Sequence, residues 1–152
     1  MNRLLVIGAA TAAAGGLLFS IPTAAQNPPP APKTAHVEIR KGPALEISHD
    51  DLAIIRWTST NPGGDDDHWA VAHYGTDPND LSQTAKHHIR LNQSHPETIF
   101  RVRVMGLQPA TTYYYKVTSM GYDGVSDGVE SSVRQFTTAA PGQVTSAFPP
   151  PE

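Results

Sequence analysis

The 152 residues carry 11 Lys and Arg against 14 Asp and Glu, a net charge of −3, and no Cys. An acidic balance argues against a polyanionic partner such as nucleic acid. Without Cys there are no disulfides, no thiolate metal sites and no lipid attachment at a thiol, so an exported domain must hold itself by core packing alone.

The chain opens with a targeting pattern. Arg3 supplies one positive charge, residues 4–19 are apolar and small, Pro22 breaks the run, and Thr23-Ala24-Ala25 offers small residues to a signal peptidase. Residues 1–25 are therefore expected to be a signal peptide cleaved after Ala25, which places the chain in the periplasm or outside the cell. The competing reading is a transmembrane anchor, but a span needs about 20 apolar residues and no processing site. Removing Arg3 with the leader leaves ten basic and fourteen acidic residues, a net charge of −4. No second hydrophobic run ties the cleaved chain to a membrane.

Residues 26–34 form a Pro-rich linker that favours extended polyproline II. Residues 35–141 are the length of one domain. The first strand is expected within 36–47, split or bulged at Gly42-Pro43 as suits an edge. Asp50-Asp51 turn the chain into residues 52–60, where Ala53, Ile55 and Trp57 alternate inward. Residues 61–67, Asn-Pro-Gly-Gly-Asp-Asp-Asp, are a loop by every local signal. Residues 68–76 form the next strand, with Trp69, Val71 and His73 on one face and Ala70, Ala72 and Tyr74 on the other. After a turn at Asp77-Pro78-Asn79-Asp80 comes a short strand centred on 87–91, and then a turn at 93–97.

Residues 98–104 alternate clearly, with Phe100, Val102 and Val104 inward and Arg101 and Arg103 outward. At Pro109 pairing is interrupted, because proline lacks an N–H and fixes φ. Thr111, Tyr113, Tyr115 and Val117 then share one strand face. A Tyr just past such a corner can swing its hydroxyl back onto the corner backbone. Residues 120–130, with three Gly and two Asp, read as a long hairpin loop, and 131–138 as the last strand. Residues 142–152 are expected to be a disordered Pro-rich tail.

Seven short strands with turn signals between them, and no amphipathic helical window, predict an all-β, seven-stranded antiparallel Greek-key β-sandwich. Its core is expected to bury Trp57, Val71, Phe100, Val102, Tyr113, Tyr115 and Phe136 between the sheets. The pieces Ile55-x-Trp57, Tyr74-Gly75-Thr76, Leu107-x-Pro109-x-Thr111-x-Tyr113-x-Tyr115-x-Val117 and Phe136-Thr137-Thr138 resemble fibronectin type III domains. Most of all they resemble the fibronectin-like N-terminal domain of purple acid phosphatases, over roughly 35–141. The resemblance implies a shared fold and not catalysis, because those enzymes act through a dinuclear metal site in a separate domain. The Gly-Asn-His-Glu and Gly-His-x-His signatures of that domain do not occur in the chain.

Other chemistry has little support. His87 and His88 are adjacent and His68 and His73 are five apart, so neither pair can share one ion from one strand. Scattered surface histidines are the better reading, given how many ligands zinc wants. The Asp65-Asp66-Asp67 loop could wrap calcium, but it matches no EF-hand spacing, and solvated loop charges explain it better. Nucleophilic catalysis lacks a Cys, a Gly-x-Ser-x-Gly elbow and any Ser–His pair placed by a recognisable motif. No cofactor is expected.

The reading is thus an exported, non-catalytic binding or scaffolding module for a protein or glycan. The alternatives are an accessory domain of a purple acid phosphatase-like enzyme encoded apart, or a structural subunit of an extracellular assembly. The expected contact residues are Asp65, Asp66 and Asp67 in one loop and Tyr122 and Asp123 in another, because B–C and F–G loops of such sandwiches cluster at one end. The outer face bearing Arg101 and Arg103 is the alternative site.

Overall fold

The computed structural model describes residues 32–146; the expected leader, most of the linker and the last residues of the tail lie outside the described residues. The strands are β1 (Ile39–Ser48), β2 (Leu52–Thr60), β3 (Asp67–Gly75), β4 (Gln83–Arg90), β5 (Glu97–Met105), β6 (Thr112–Gly121), β7 (Ser126–Glu130), β8 (Arg134–Thr137) and β9 (Thr145–Ser146). One sheet runs β5-β2-β1-β9; the other runs β4-β3-β6-β7, with β8 also on β6. All the pairings are antiparallel. The chain passes from the first sheet to the second after β2, returns for β5 beside β2, and crosses again to β6. This is the Greek-key connectivity of a β-sandwich.

Nine strands stand where seven were expected, for two local reasons. The last strand is broken: β7 pairs with the C-terminal half of β6 and β8 with its N-terminal half. Much of the expected long loop at 120–130 is therefore strand. Its turn is closed by Gly121 N–H to the Val125 carbonyl and Gly124 N–H to the Gly121 carbonyl, both 2.9 Å. Beyond Pro141, where a tail was expected, Thr145 and Ser146 pair with Ser48 and Ile47. The Gly142 N–H also binds the Asp50 carboxylate at 3.0 Å.

The core lies between the sheets, built from Ala53, Ile55, Trp57, Phe100, Val102 and Val104 on one side and Ala70, Ala72, Tyr74, Tyr113, Tyr115, Val117 and Phe136 on the other. Trp57 and Phe100 are cross-strand partners, and their rings stack at 5.1 Å. Val71 corrects the expectation. It is buried, yet it shares the outer face of β3 with Trp69 and His73, while the small Ala70 and Ala72 face inward. Bulky rings from β2, β5 and β6 already fill the gap between sheets there, so β3 contributes small side chains at 70 and 72 and a ring only at Tyr74.

The corner after Gly106 forms as the motif suggests. Tyr113 Oη accepts the Gln108 N–H at 2.9 Å. Thr138 completes it, because its hydroxyl accepts the Thr111 N–H at 2.9 Å and donates to the Gln108 carbonyl at 2.6 Å. The Gly in Tyr74-Gly75-Thr76 has a steric reason: a Cβ there would run into the Asp80 carbonyl oxygen. In β1 the register shifts between Lys41 and Ala44, where Gly42 adopts φ 81°. The expected interruption is therefore a bulge within one strand.

Candidate functional site

The β2–β3 connection and the β6–β7 hairpin meet at one end of the sandwich. The Tyr122 N–H donates to the Asp67 carbonyl at 3.1 Å, and His68 pairs with Gly121. These are the two segments in which contact residues were expected, and the pairing of β3 with β6 brings them together.

The five expected residues separate there into different roles. Asp67 opens β3 instead of closing the loop, and its Oδ1 lies 3.0 Å from His88 Nε2 on β4. Asp66 turns toward β4 and the β4–β5 loop, accepting from Gln93 at 3.2 Å and from Arg90 at 3.2 Å. The Gln93 and Arg90 hydrogen bonds hold the Asp66 carboxyl below its ordinary range. Asp65 is exposed. Asp123 builds its own turn, its Oδ1 accepting the Val125 N–H at 3.0 Å. The acidic residues thus do not converge on one point. Among the described residues no group of three or more His, Cys, Asp or Glu could hold a metal ion.

What does converge is aromatic. Tyr122, 63% exposed, lies nearly parallel to Trp69, with ring centroids 5.8 Å apart and planes 15° apart. His88 stands edge-on to both, at 5.4 Å from Trp69 and 6.1 Å from Tyr122. Register explains the cluster, because Trp69 pairs across β3 with His88 on one side and Met120 on the other. Trp69 and His88 were absent from the expected site. Period-two alternation separates the faces of β3 but does not say which is outer, and the more apolar face, with Trp69 and Val71, looked like core.

A second polar cluster lies beneath this surface, inside the fold. His68 is 2% exposed and the Asp127 side chain 0%, so neither the surface histidine nor the loop aspartate that the sequence suggested is found there. Asp127 alternates inward along β7 with Val129. Its Oδ2 accepts the Ser119 hydroxyl at 2.8 Å, and its Oδ1 lies 3.3 Å from His68 Nε2 and 3.9 Å from Lys33 Nζ. The His68–Asp127 approach is close enough for an ion contact but too poorly aligned for a hydrogen bond, and both ring nitrogens have no hydrogen-bond partner among the described residues. Lys33 reaches this point because the Thr34 N–H and hydroxyl fasten its segment to the Pro62 and Asn61 carbonyls.

Serine, aspartate and histidine come together here in the wrong order for nucleophilic catalysis. Ser119 bonds the carboxylate and not the imidazole that would have to take its proton, and the group is sealed from solvent. The pentapeptide Gly124-Val125-Ser126-Asp127-Gly128 does have Gly-x-Ser-x-Gly spacing, although no such elbow was expected. It runs from a hairpin turn into β7, with no helix following, so it is not a nucleophile elbow.

On the other sheet Arg101 makes a two-pronged pair with Glu46, 2.7 and 3.1 Å, which lowers the Glu46 carboxyl pKa. That guanidinium is committed within its own sheet. A groove of about 530 Å³ lies along the open side between β1 and β7–β8, lined by Val37, Pro43, Val129 and Arg134 among others, and includes none of the expected residues.

The family description "Purple acid Phosphatase, N-terminal domain" matches residues 42–138. The chain belongs to this family. The match spans every strand from within β1 to β8, and it is the N-terminal, non-catalytic domain of purple acid phosphatases that is found. No curated protein gives a match. Among solved structures the chain is similar to the sensor domain of the anti-sigma factor RsgI4 in Pseudobacteroides cellulosolvens. A longer form is 22% identical, covering 74% of this chain and 99% of that one, with a TM-score of 0.48. A shorter form is 26% identical, covering 68% and 95%, with a TM-score of 0.47. With TM-scores below 0.5, neither bears on function.

Proposed function

We propose that this purple acid phosphatase N-terminal-type domain is an exported, non-catalytic binding module that engages its partner at the sandwich end built by the β2–β3 connection and the β6–β7 hairpin. The observation that carries this reading is the exposed Tyr122 stacked on Trp69 and bonded through its backbone to Asp67. Large aromatic side chains held in fixed geometry, with one face in water, are the usual anchors of an interface. The signal-like pattern of residues 1–25 supports export. Asp65, Asp66 and Asp67 supply polar contacts at the rim.

The test is capture from the native extracytoplasmic fraction by the purified chain, repeated with Tyr122→Ala, with a triple Asp→Asn change at 65–67, and with Arg101→Ala/Arg103→Ala. The first two variants should weaken capture without shifting the melting temperature, while the third should not. Capture lost only in the arginine variant would move the site to the opposite sheet.

The family match favours one second reading, an accessory domain working beside a metallophosphoesterase catalytic unit. Under either reading the purified chain itself turns over no aryl phosphate after loading with iron, zinc or manganese. Metal-dependent turnover that survives rigorous purification would refute the non-catalytic assignment.

A further inference from the structure

Resting on that reading, we infer that the Trp69–Tyr122–His88 surface binds a neutral carbohydrate chain. A bulky apolar surface left in water on a small domain calls for an explanation, and here Tyr122 and the neighbouring Val125 are 63% and 54% exposed. The rings are held in place before any ligand arrives. Trp69 rises from β3, hydrogen-bonded on both sides by β4 and β6, and Tyr122 is fixed by its own N–H and by the tight turn at Gly121–Gly124. Such preorganisation removes an ordering cost that a flexible loop would carry.

The surrounding chemistry selects the ligand. Asp67 lies beside the rings through its contact with His88, and Arg90, two residues beyond His88 on β4, is paired with Asp66. An anionic ligand would meet the Asp67 carboxylate beside the rings, with the Arg90 guanidinium already held by Asp66. A protein interface usually covers roughly 800 Å² per partner, with charge depleted at its centre. Here the Asp67 carboxylate, bonded to His88, lies at the edge of the rings, and an apolar partner would strip its water without replacing the hydrogen bonds. A sugar offers both halves of the complement. The C–H face of a pyranose lies flat on an aromatic ring, and its hydroxyls donate to a carboxylate such as that of Asp67. Tyr122 is 63% exposed and His88 is exposed beside it, so the surface is open to water, as a polymer lying across it requires.

The experiment is native affinity electrophoresis of the cleaved chain through gels containing soluble neutral polysaccharides: a cellulose ether, xylan, mixed-linkage β-glucan and mannan. Retardation by at least one is expected, and Tyr122→Ala should weaken it about tenfold or more. Tyr122→Phe, which keeps the stacking face, should retain most of it, and Arg101→Ala/Arg103→Ala should leave it unchanged. Because the Tyr122 side chain is largely in solvent, the Ala variant will fold; Trp69→Ala, compared at matched melting temperature, is the second arm. Retardation that persists in Tyr122→Ala, or none on any of the four polymers, overturns the inference. Tyr122-dependent capture of a protein, with no retardation on the polysaccharides, overturns the carbohydrate assignment and leaves the binding-module reading standing.

Discussion

The corner hydroxyl of Tyr113 and the imidazole of His73 show how single side chains set local stability. Tyr113→Phe leaves the ring stacked on Phe136 but removes the acceptor for the Gln108 N–H. The expected cost is about 1–2 kcal/mol, the usual range for a half-buried hydrogen bond lost with its donor left behind. Denaturant unfolding measures it, and an unchanged midpoint would show that the corner is held by Thr138 alone. His73 is half-buried, and burial pushes its pKa below the ordinary value; Lys116 and Lys86 push the same way and Glu130 opposes them. Its folded pKa is therefore lower than its unfolded one. The associated stability is present above about pH 6.5 and is lost as pH falls, because the unfolded chain takes up the proton first. Replacing His73 by Gln, which can keep a hydrogen bond to Thr118, should flatten the melting-temperature profile between about pH 7 and 5. Parallel profiles would show that burial of His73 does not matter.

At the scale of the elements, β7 is tied to its sheet from within. Asp127 reaches Ser119 and His68 across β6 and β3, and Lys33 covers it from the chain before β1. Asp127→Ala should cost about 1–3 kcal/mol, because it leaves the buried Ser119 hydroxyl without its acceptor. A loss below about 1 kcal/mol would mean that this cluster is not part of what holds β7 in place. The same elements show what the sequence discloses and what it does not. Alternation in β2 and β5 was legible because each carries one wholly apolar set, Ala53-Ile55-Trp57 and Phe100-Val102-Val104, facing one core. The corner was legible because Pro109 and Tyr113 have local steric and hydrogen-bonding reasons. In β3 both sets are largely apolar, so the choice of face depended on what the opposite sheet already filled. β7 was hidden because Gly and Asp favour turns locally, and only pairing with β6 and the partners of Asp127 override that preference. Asp65–Asp67 and Tyr122 could be placed at one end from topology alone, whereas Trp69 and His88 join them through cross-strand register, which a linear reading does not fix.

For the whole molecule, the Greek-key connectivity sets two unlike surfaces apart. One sheet presents Glu46, Arg101 and Arg103 on its outer face, with Arg101 committed to Glu46. The other ends in an aromatic cluster with Asp67 at its edge, supported beneath by a buried polar group and a strap of chain from Pro32 to Thr34. The fold thus gives a rigid base to two connections that sequence variation can alter without disturbing the core. The most direct test of the account is a two-dimensional amide NMR titration of the cleaved chain with the captured partner or the retarding polysaccharide. The account predicts that shift changes concentrate at residues 64–69, 86–90 and 120–125 and spare 44–47, 54–56 and 99–103. Changes centred on the Glu46–Arg101 face, with the Tyr122 and Trp69 amides unmoved, would contradict it.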